Sequence, residues 1–222
     1  MTEKFNDKQP DILKGYNMLL YFAGTMITFD PSKECIHDFW SEGILKGLPV
    51  SSHNPRFIKA AAQLHQSVDD QSSNIVMMKE DYLSLFSGRN NPLAPPLESV
   101  YRNNNQSGFN KLTSEVREFY NSYGWESKFK GSIPDDHLGV ELLFLTLMIE
   151  KYLEFDDEIC NSEMRNEIRR FIDQHLISWI PAWNENIQER AITISYKGIS
   201  SLILACVEDI YNIMSQTDKN FN

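Results

Sequence analysis

Cysteine is scarce in this chain. Cys35, Cys160 and Cys206 stand far apart, and no C-x-x-C pair occurs. That spacing argues against a disulfide framework or a structural zinc site and leaves buried thiols in a reducing cytosol as the expectation. Long apolar runs are missing too. No stretch reaches the ~18 residues of a membrane span, and the opening segment 1–8 has no apolar signal core. The chain is therefore expected in the cytoplasm, with no integral membrane segment. Neither G-x-G-x-x-G nor G-x-x-x-x-G-K-[ST] occurs, and no G-x-S-x-G elbow is present. One Glu-x-x-His, Glu34 to His37, has no second copy, so a di-iron carboxylate site is not expected. Cys35 and His37, two apart on a helix, point to different faces and make no nucleophile pair. Bases are outnumbered, 21 Lys and Arg against 31 Asp and Glu, for a net charge of −10. Residues 134–190 alone hold 13 acids and 5 bases, a net of −8. Such a surface repels nucleic acid and anionic lipid and attracts a basic peptide.

What is present is apolar residues at helical spacing, with no internal repeat and no strong pair of strands. Asp11 is expected to cap a helix reaching about Phe29, with Ile12, Tyr16, Leu19, Leu20 and Ala23 on its buried face. A second helix is expected from Ser32 to about Leu45, burying Ile36, Phe39 and Trp40. Asn54-Pro55 reads as cap and first residue of a third, carrying Phe57, Ile58, Ala61, Leu64 and Val68. A polar link, 69–73, leads to Asp-Tyr-x-x-Leu-Phe-x-Gly at 81–88, where Tyr82, Leu85 and Phe86 share a face and Gly88 is a stop. Asn91-Pro92 and Ala94-Pro95-Pro96 prevent regular structure before Leu97-Glu98-Ser99-Val100-Tyr101 restarts the chain. A helix from about Gly108 to Tyr123 follows, with Phe109, Leu112, Val116, Phe119, Tyr120 and Tyr123 on one stripe.

The organising stretch is Pro134-Asp135-Asp136-His137-Leu138-Gly139-Val140-Glu141. Pro134 biases Ile133 away from helix. Asp135 or Asp136 is placed to cap the helix that follows, and His137 and Glu141, four apart, share a face. Leu138, Leu142, Leu145 and Ile149 form an adjacent face that must be buried. This helix is expected to reach Leu153 or Phe155. Ser162 is then placed to cap a helix bearing Ile168, Phe171, Ile172, His175, Leu176 and Trp179, which Ile180-Pro181 ends. His175 and Trp179 read as core. The last helices, 184–215, bury Ile187, Ala191, Ile194, Leu202, Ile203 and Val207, with Gly198 a point of bending.

Pro-Asp-Asp-His-Leu-Gly-x-Glu-Leu resembles the central motif of the TorD/DmsD family, the cytoplasmic chaperones of twin-arginine-exported molybdoenzymes. Two further stretches match in order: 81–101, and Phe171-x-x-x-His175-Leu176-x-x-Trp179-x-Pro181. The resemblance spans roughly Tyr82 to Ala205. It implies an all-α domain of about nine to ten helices, with an N-terminal lobe at 11–123, a hinge at 124–134 and a C-terminal lobe at 135–217. It implies no enzyme activity. It implies binding of the twin-arginine leader and of an apo-molybdoenzyme catalytic subunit, DMSO/TMAO reductase-like, before cofactor insertion. Carboxylates would take the guanidinium groups and a hydrophobic groove the apolar segment. The peptide-binding candidates are Tyr82, Leu85, Phe86, Pro92, Pro95, Pro96, Glu98, Pro134, Asp135, Asp136, His137 and Glu141. His137 either holds the loop or contacts the peptide. No bound cofactor is expected; weak guanine nucleotide binding rests on the resemblance alone. The assembly is expected to be a monomer or a homodimer swapped through the hinge. The alternative is a helical enzyme or cofactor carrier using His137 and Glu141.

Overall fold

The helix after the Pro-Asp-Asp-His turn sets the architecture. Leu138, Val140, Leu142, Phe144, Leu145, Met148 and Ile149 occupy more than half of its circumference, and all are buried; Gly139, Leu143 and Leu147 are half-buried and Glu150 is exposed on the remaining face. So broad an apolar face needs cover from several helices. The computed structural model describes residues 8–31, 47–68, 71–87, 91–102 and 109–216. Among them are nine α-helices and no strand: α1 (Lys8–Thr28), α2 (Pro55–Val68), α3 (Gln71–Tyr82), α4 (Glu98–Arg102), α5 (Phe109–Ser122), α6 (Leu138–Glu154), α7 (Glu158–Phe171), α8 (Ile180–Arg190) and α9 (Ile194–Ser215). The all-α expectation holds. The expected helix at 32–45, with Cys35, Ile36, His37, Phe39 and Trp40, lies outside the described residues, as do Gly88 and Gly108.

The α6 helix is the central one, and α1 and α7 pack on it. The α9 helix, buried from Ser195 to Val207, takes α2, α1, α8 and α7 on its sides. Helices from before and after the 124–134 segment thus interleave in one core. That segment is itself packed. Gly124 and Gly131 sit at φ 63° and 83°, the left-handed region that tight turns require. Trp125 lies 4.8 Å from Tyr120 and 5.2 Å from Phe144, and Phe129 lies 5.4 Å from Phe29.

Several local expectations are corrected. The α1 helix starts at Lys8, not after Asp11: Pro10 is tolerated in a first turn, and Asp11 there pairs with Lys14 at 3.9 Å. The buried stripe of α2 is Phe57, Ala60, Leu64 and Ser67, so Ile58 is 58% exposed. Ile12 also faces out. The polar link is shorter than expected, since α3 begins at Gln71. The α7 cap is Asp157, whose Oδ1 accepts from the Cys160 amide at 2.9 Å; Ser162 lies inside the helix. Gly198 does not break α9. A Cβ there would stand 2.9 Å from Leu64 Cγ, so the glycine admits α2.

Gly139 does the same for α1. A Cβ at 139 would lie 1.9 Å from Thr28 Oγ1, which donates to the Gly24 carbonyl at 2.6 Å. Gly139→Ala should therefore cost about 1–3 kcal/mol through overpacking. Adding Thr28→Ala should recover much of that loss in urea melts. A double variant whose loss equals the sum of the two singles would show that the collision is not with Thr28.

Candidate functional site

Three stretches far apart in sequence meet through backbone hydrogen bonds. After Tyr82 the helix widens into a π-turn at Leu83–Ser87. The Ser84 and Leu85 carbonyls there accept from the Leu93 and Ala94 amides at 3.0 and 2.9 Å. This folds the Pro92–Pro96 loop back on α3. The loop's far end then pairs with the turn before α6 as a short antiparallel bridge, Leu97 to His137. The Leu138 amide donates to the Pro96 carbonyl at 2.8 Å, and the Glu98 amide to the Asp136 carbonyl at 3.0 Å. From the third stretch, Trp183 Nε1 donates to the Ala94 carbonyl at 3.2 Å, and its ring stacks on Phe86. Trp179 stacks on Tyr101.

The capping roles differ from the expectation. Neither aspartate caps α6. His137 does: its Nδ1 accepts from the Gly139 amide at 3.0 Å. Imidazole can accept there only when neutral. Asp136 caps a different helix, its Oδ2 accepting from the Ser99 amide of α4 at 3.1 Å. Asp135 meets Arg117 Nε at 2.6 Å, and its carbonyl accepts from the Tyr120 hydroxyl at 2.9 Å.

The candidate residues divide by exposure. Leu85, Glu98 and Glu141 are 0% exposed, Asp136 2% and Tyr82 8%; Pro96 is buried. Phe86, Pro92, Pro95, Asp135 and His137 are half-buried, and Pro134 is exposed. Leu83, Leu93 and Val100 add exposed apolar surface on the same segments. Leu85 holds the loop through its carbonyl, while the Tyr82 hydroxyl donates to the Thr28 carbonyl at 2.9 Å and ties the end of α3 to α1.

Behind the bridge lies a buried polar cluster. One Glu98 oxygen meets the Arg102 guanidinium, and the other accepts from His175 Nδ1 at 3.1 Å. His175 is buried, so the core expectation for it stands, but with an acid partner. Among the described residues no N–H meets either Glu141 oxygen, and its carboxyl shares a hydrogen bond with Glu98. Burial first, then the charges of Glu98 and Asp136, push Glu141 well above the usual carboxylate range. His137 moves the other way, lowered to about 4 by burial against the pull of Asp136. Arg102, Asp81 and Asp209 were not singled out from the sequence. Arg102 was visible as i+4 from Glu98. Asp81 accepts from the Ile192 and Thr193 amides at 3.1 and 2.8 Å, bracing the α8–α9 turn. Asp209, which accepts from Tyr16, Ser52 and Asn54, left no local signal. Among the described residues no group of His, Cys, Asp and Glu is arranged to hold a metal ion. No described helix is long and apolar enough to cross a membrane.

The two shifts have opposite signs in stability. The His137 proton is bound more tightly by the unfolded chain, so its contribution is full above pH ~6.5 and falls away toward pH 4. The Glu141 proton is bound more tightly by the folded chain. Stability therefore falls as pH rises from ~4.5 toward the raised value. Glu141→Gln should match the native protein near pH 5 and gain on it steadily toward pH 8 in thermal melts. His137→Asn, which keeps a cap, should flatten the loss between pH 6.5 and 4. Parallel pH profiles for native and Glu141→Gln would mean that Glu141 is ionised in the fold.

Comparison with known proteins gives the family of the chain. The family described as "Nitrate reductase delta subunit" matches residues 54–185, which include all three meeting stretches. The "Chaperone protein TorD" of Vibrio cholerae serotype O1 (strain O395) is 25% identical over 165 residues, 74% of each chain. That of Aliivibrio fischeri is 24% identical over 204 residues, 90% of this chain and 91% of the relative. That of Psychrobacter sp. is 28% identical over 130 residues, 58% of each. With more than half its length matched, this chain belongs to the nitrate reductase delta subunit family, the family of the TorD chaperones.

Proposed function

We propose that the chain is a chaperone in the maturation of a molybdoenzyme, acting in the cytoplasm on the twin-arginine leader and the apo-form of a DMSO/TMAO reductase-like catalytic subunit. Family membership and relatives named as chaperones carry the chaperone reading and set aside an enzyme built on His137 and Glu141. The geometry is in keeping with that: the His137 Nδ1 is engaged as a helix cap, and Glu141 is sealed from solvent.

The single observation that favours a peptide ligand is the joined pair of loops. The Pro92–Pro96 loop and the Pro134–His137 turn, held by backbone bonds to each other, present Leu93 and Pro134 at the surface, with Pro95 half-buried beside them and Asp135 half-buried against Arg117. Such a pre-ordered apolar and acidic edge suits a ligand with arginines followed by an apolar segment. The excess of acids supplies long-range attraction for it. This role needs no resident cofactor. The packed 124–134 segment favours the monomer over the swapped dimer, since its aromatics dock on their own chain.

Calorimetry with a synthetic twin-arginine leader should show one-site binding. The affinity should weaken several-fold from low to high salt while an apolar part persists. A leader with both arginines replaced by glutamine should bind at least tenfold more weakly. No measurable binding by the native chain would overturn the leader reading.

A further inference from the structure

Glu98, Asp136 and Glu141 raise a question of charge. Three carboxyl groups are buried together, and among the described residues the groups shaping Glu141 include one guanidinium, Arg102. Asp136 is occupied by the Ser99 amide and Glu98 by Arg102 and His175. Glu141, wholly buried and holding its proton, shares a side-chain hydrogen bond with Glu98, and among the described residues no N–H reaches either of its oxygens. Tyr120, also fully buried beside Glu141, spends its hydroxyl on the Asp135 carbonyl. His137, on the neighbouring turn, spends its Nδ1 on Gly139. The Glu98–Glu141 pair thus shares one proton and one guanidinium, and the Glu141 oxygen that faces no N–H is an acceptor within the reach of a planar, multiply donating cation.

Arg102 stands at its door. Its side chain is 30% exposed while that of Glu98 is 0% exposed. It also donates to the Gln174 carbonyl at 2.7 Å. With His175, Gln174, Phe119, Arg170, Glu115 and Glu118 it lines a surface groove of about 490 Å³. Arg102 and His175 both line that groove and both touch Glu98, so the guanidinium is the boundary between solvent and the buried acids.

We propose that this cluster is a guanidinium-binding site, that Arg102 fills it in the resting chain, and that an arginine of an incoming basic peptide takes its place through the groove. The idea rests on the leader reading for the identity of the peptide, but the site's chemistry stands apart from it. Exchange is the economical route. Leaving a buried carboxylate unpaired is strongly destabilising, whereas replacing one guanidinium by another keeps the compensation intact. The ligand class is arginine rather than lysine, because the flat fork can meet Glu98 through two donors and still offer a further N–H to Glu141, where an ammonium acts as a point charge. Arg102 is then an internal competitor. Apparent affinity for the peptide is the intrinsic affinity multiplied by the fraction of time Arg102 spends out of the site.

The test is Arg102→Ala, with Arg102→Gln as a second variant should the first fail to fold. Either variant should melt below the native protein. Millimolar ethylguanidinium should restore its melting temperature, equimolar ethylammonium should not, and neither should move the native protein. The twin-arginine leader should bind the variant about tenfold or more tightly than it binds the native chain. Equal effects of ethylguanidinium and ethylammonium, or no effect of either, would overturn the site, even if the leader still binds the native chain. Rescue by ethylguanidinium with no leader binding to any form would establish the site and remove the leader. Rescue with leader affinity unchanged or reduced would keep the guanidinium site but overturn displacement by the peptide.

Discussion

The antiparallel contact between Pro96–Glu98 and Asp136–Leu138 is the constraint on which the rest depends. Two backbone bonds join a proline-rich loop to the turn that starts the central helix. Both loops are rich in residues that resist regular structure, so neither would hold a conformation alone. Paired, each supplies what the other lacks. Asp136 caps the short helix after the loop, and the pairing delivers Glu98 to the flank of α6 beside Glu141. His137, freed from bonding sideways, turns its ring onto the first turn of α6.

The consequence is a polar cluster inside an apolar bundle. The core around α6 is close-packed, with Phe144 touching Phe119, Tyr120, Trp125 and Phe171 at 4.7–6.0 Å. In such surroundings charge is expensive. A carboxyl that keeps its proton, an imidazole that loses its own, and a glutamate held between Arg102 and His175 are three ways of meeting the same cost. Stability alone would be served as well by apolar side chains of similar size. A buried pair of acids with one guanidinium at its edge points instead to recognition.

The helices were legible because apolar residues recur at helical spacing and proline or asparagine marks the breaks. The faces were less so. Ile58 and Ala60 differ by two positions on α2, and only the arrival of α9 decides that Ala60 goes inside. Gly198 read as a bend because a glycine in a helix is locally weak; the space it leaves for Leu64 exists only in three dimensions. At the site, Asp136, His137, Glu98 and Glu141 stood out by their residue types and by the family pattern. Their depth did not. The i to i+4 spacing of His137 and Glu141 suggests a surface pair on an isolated helix, but the Glu141 face of α6 is covered, so Glu141 is enclosed. Asp209 had no local signature, because its partners lie more than 150 residues away.

The central claim is that this chain holds an immature molybdoenzyme. The direct measurement is capture of the tagged chain from cells of its own source under conditions that induce such enzymes, followed by mass spectrometry and metal analysis of what is held. The account predicts a catalytic subunit with its arginine-bearing leader intact and less than stoichiometric molybdenum. Capture of only the processed, metal-loaded enzyme, or of no molybdoenzyme at all, would contradict it.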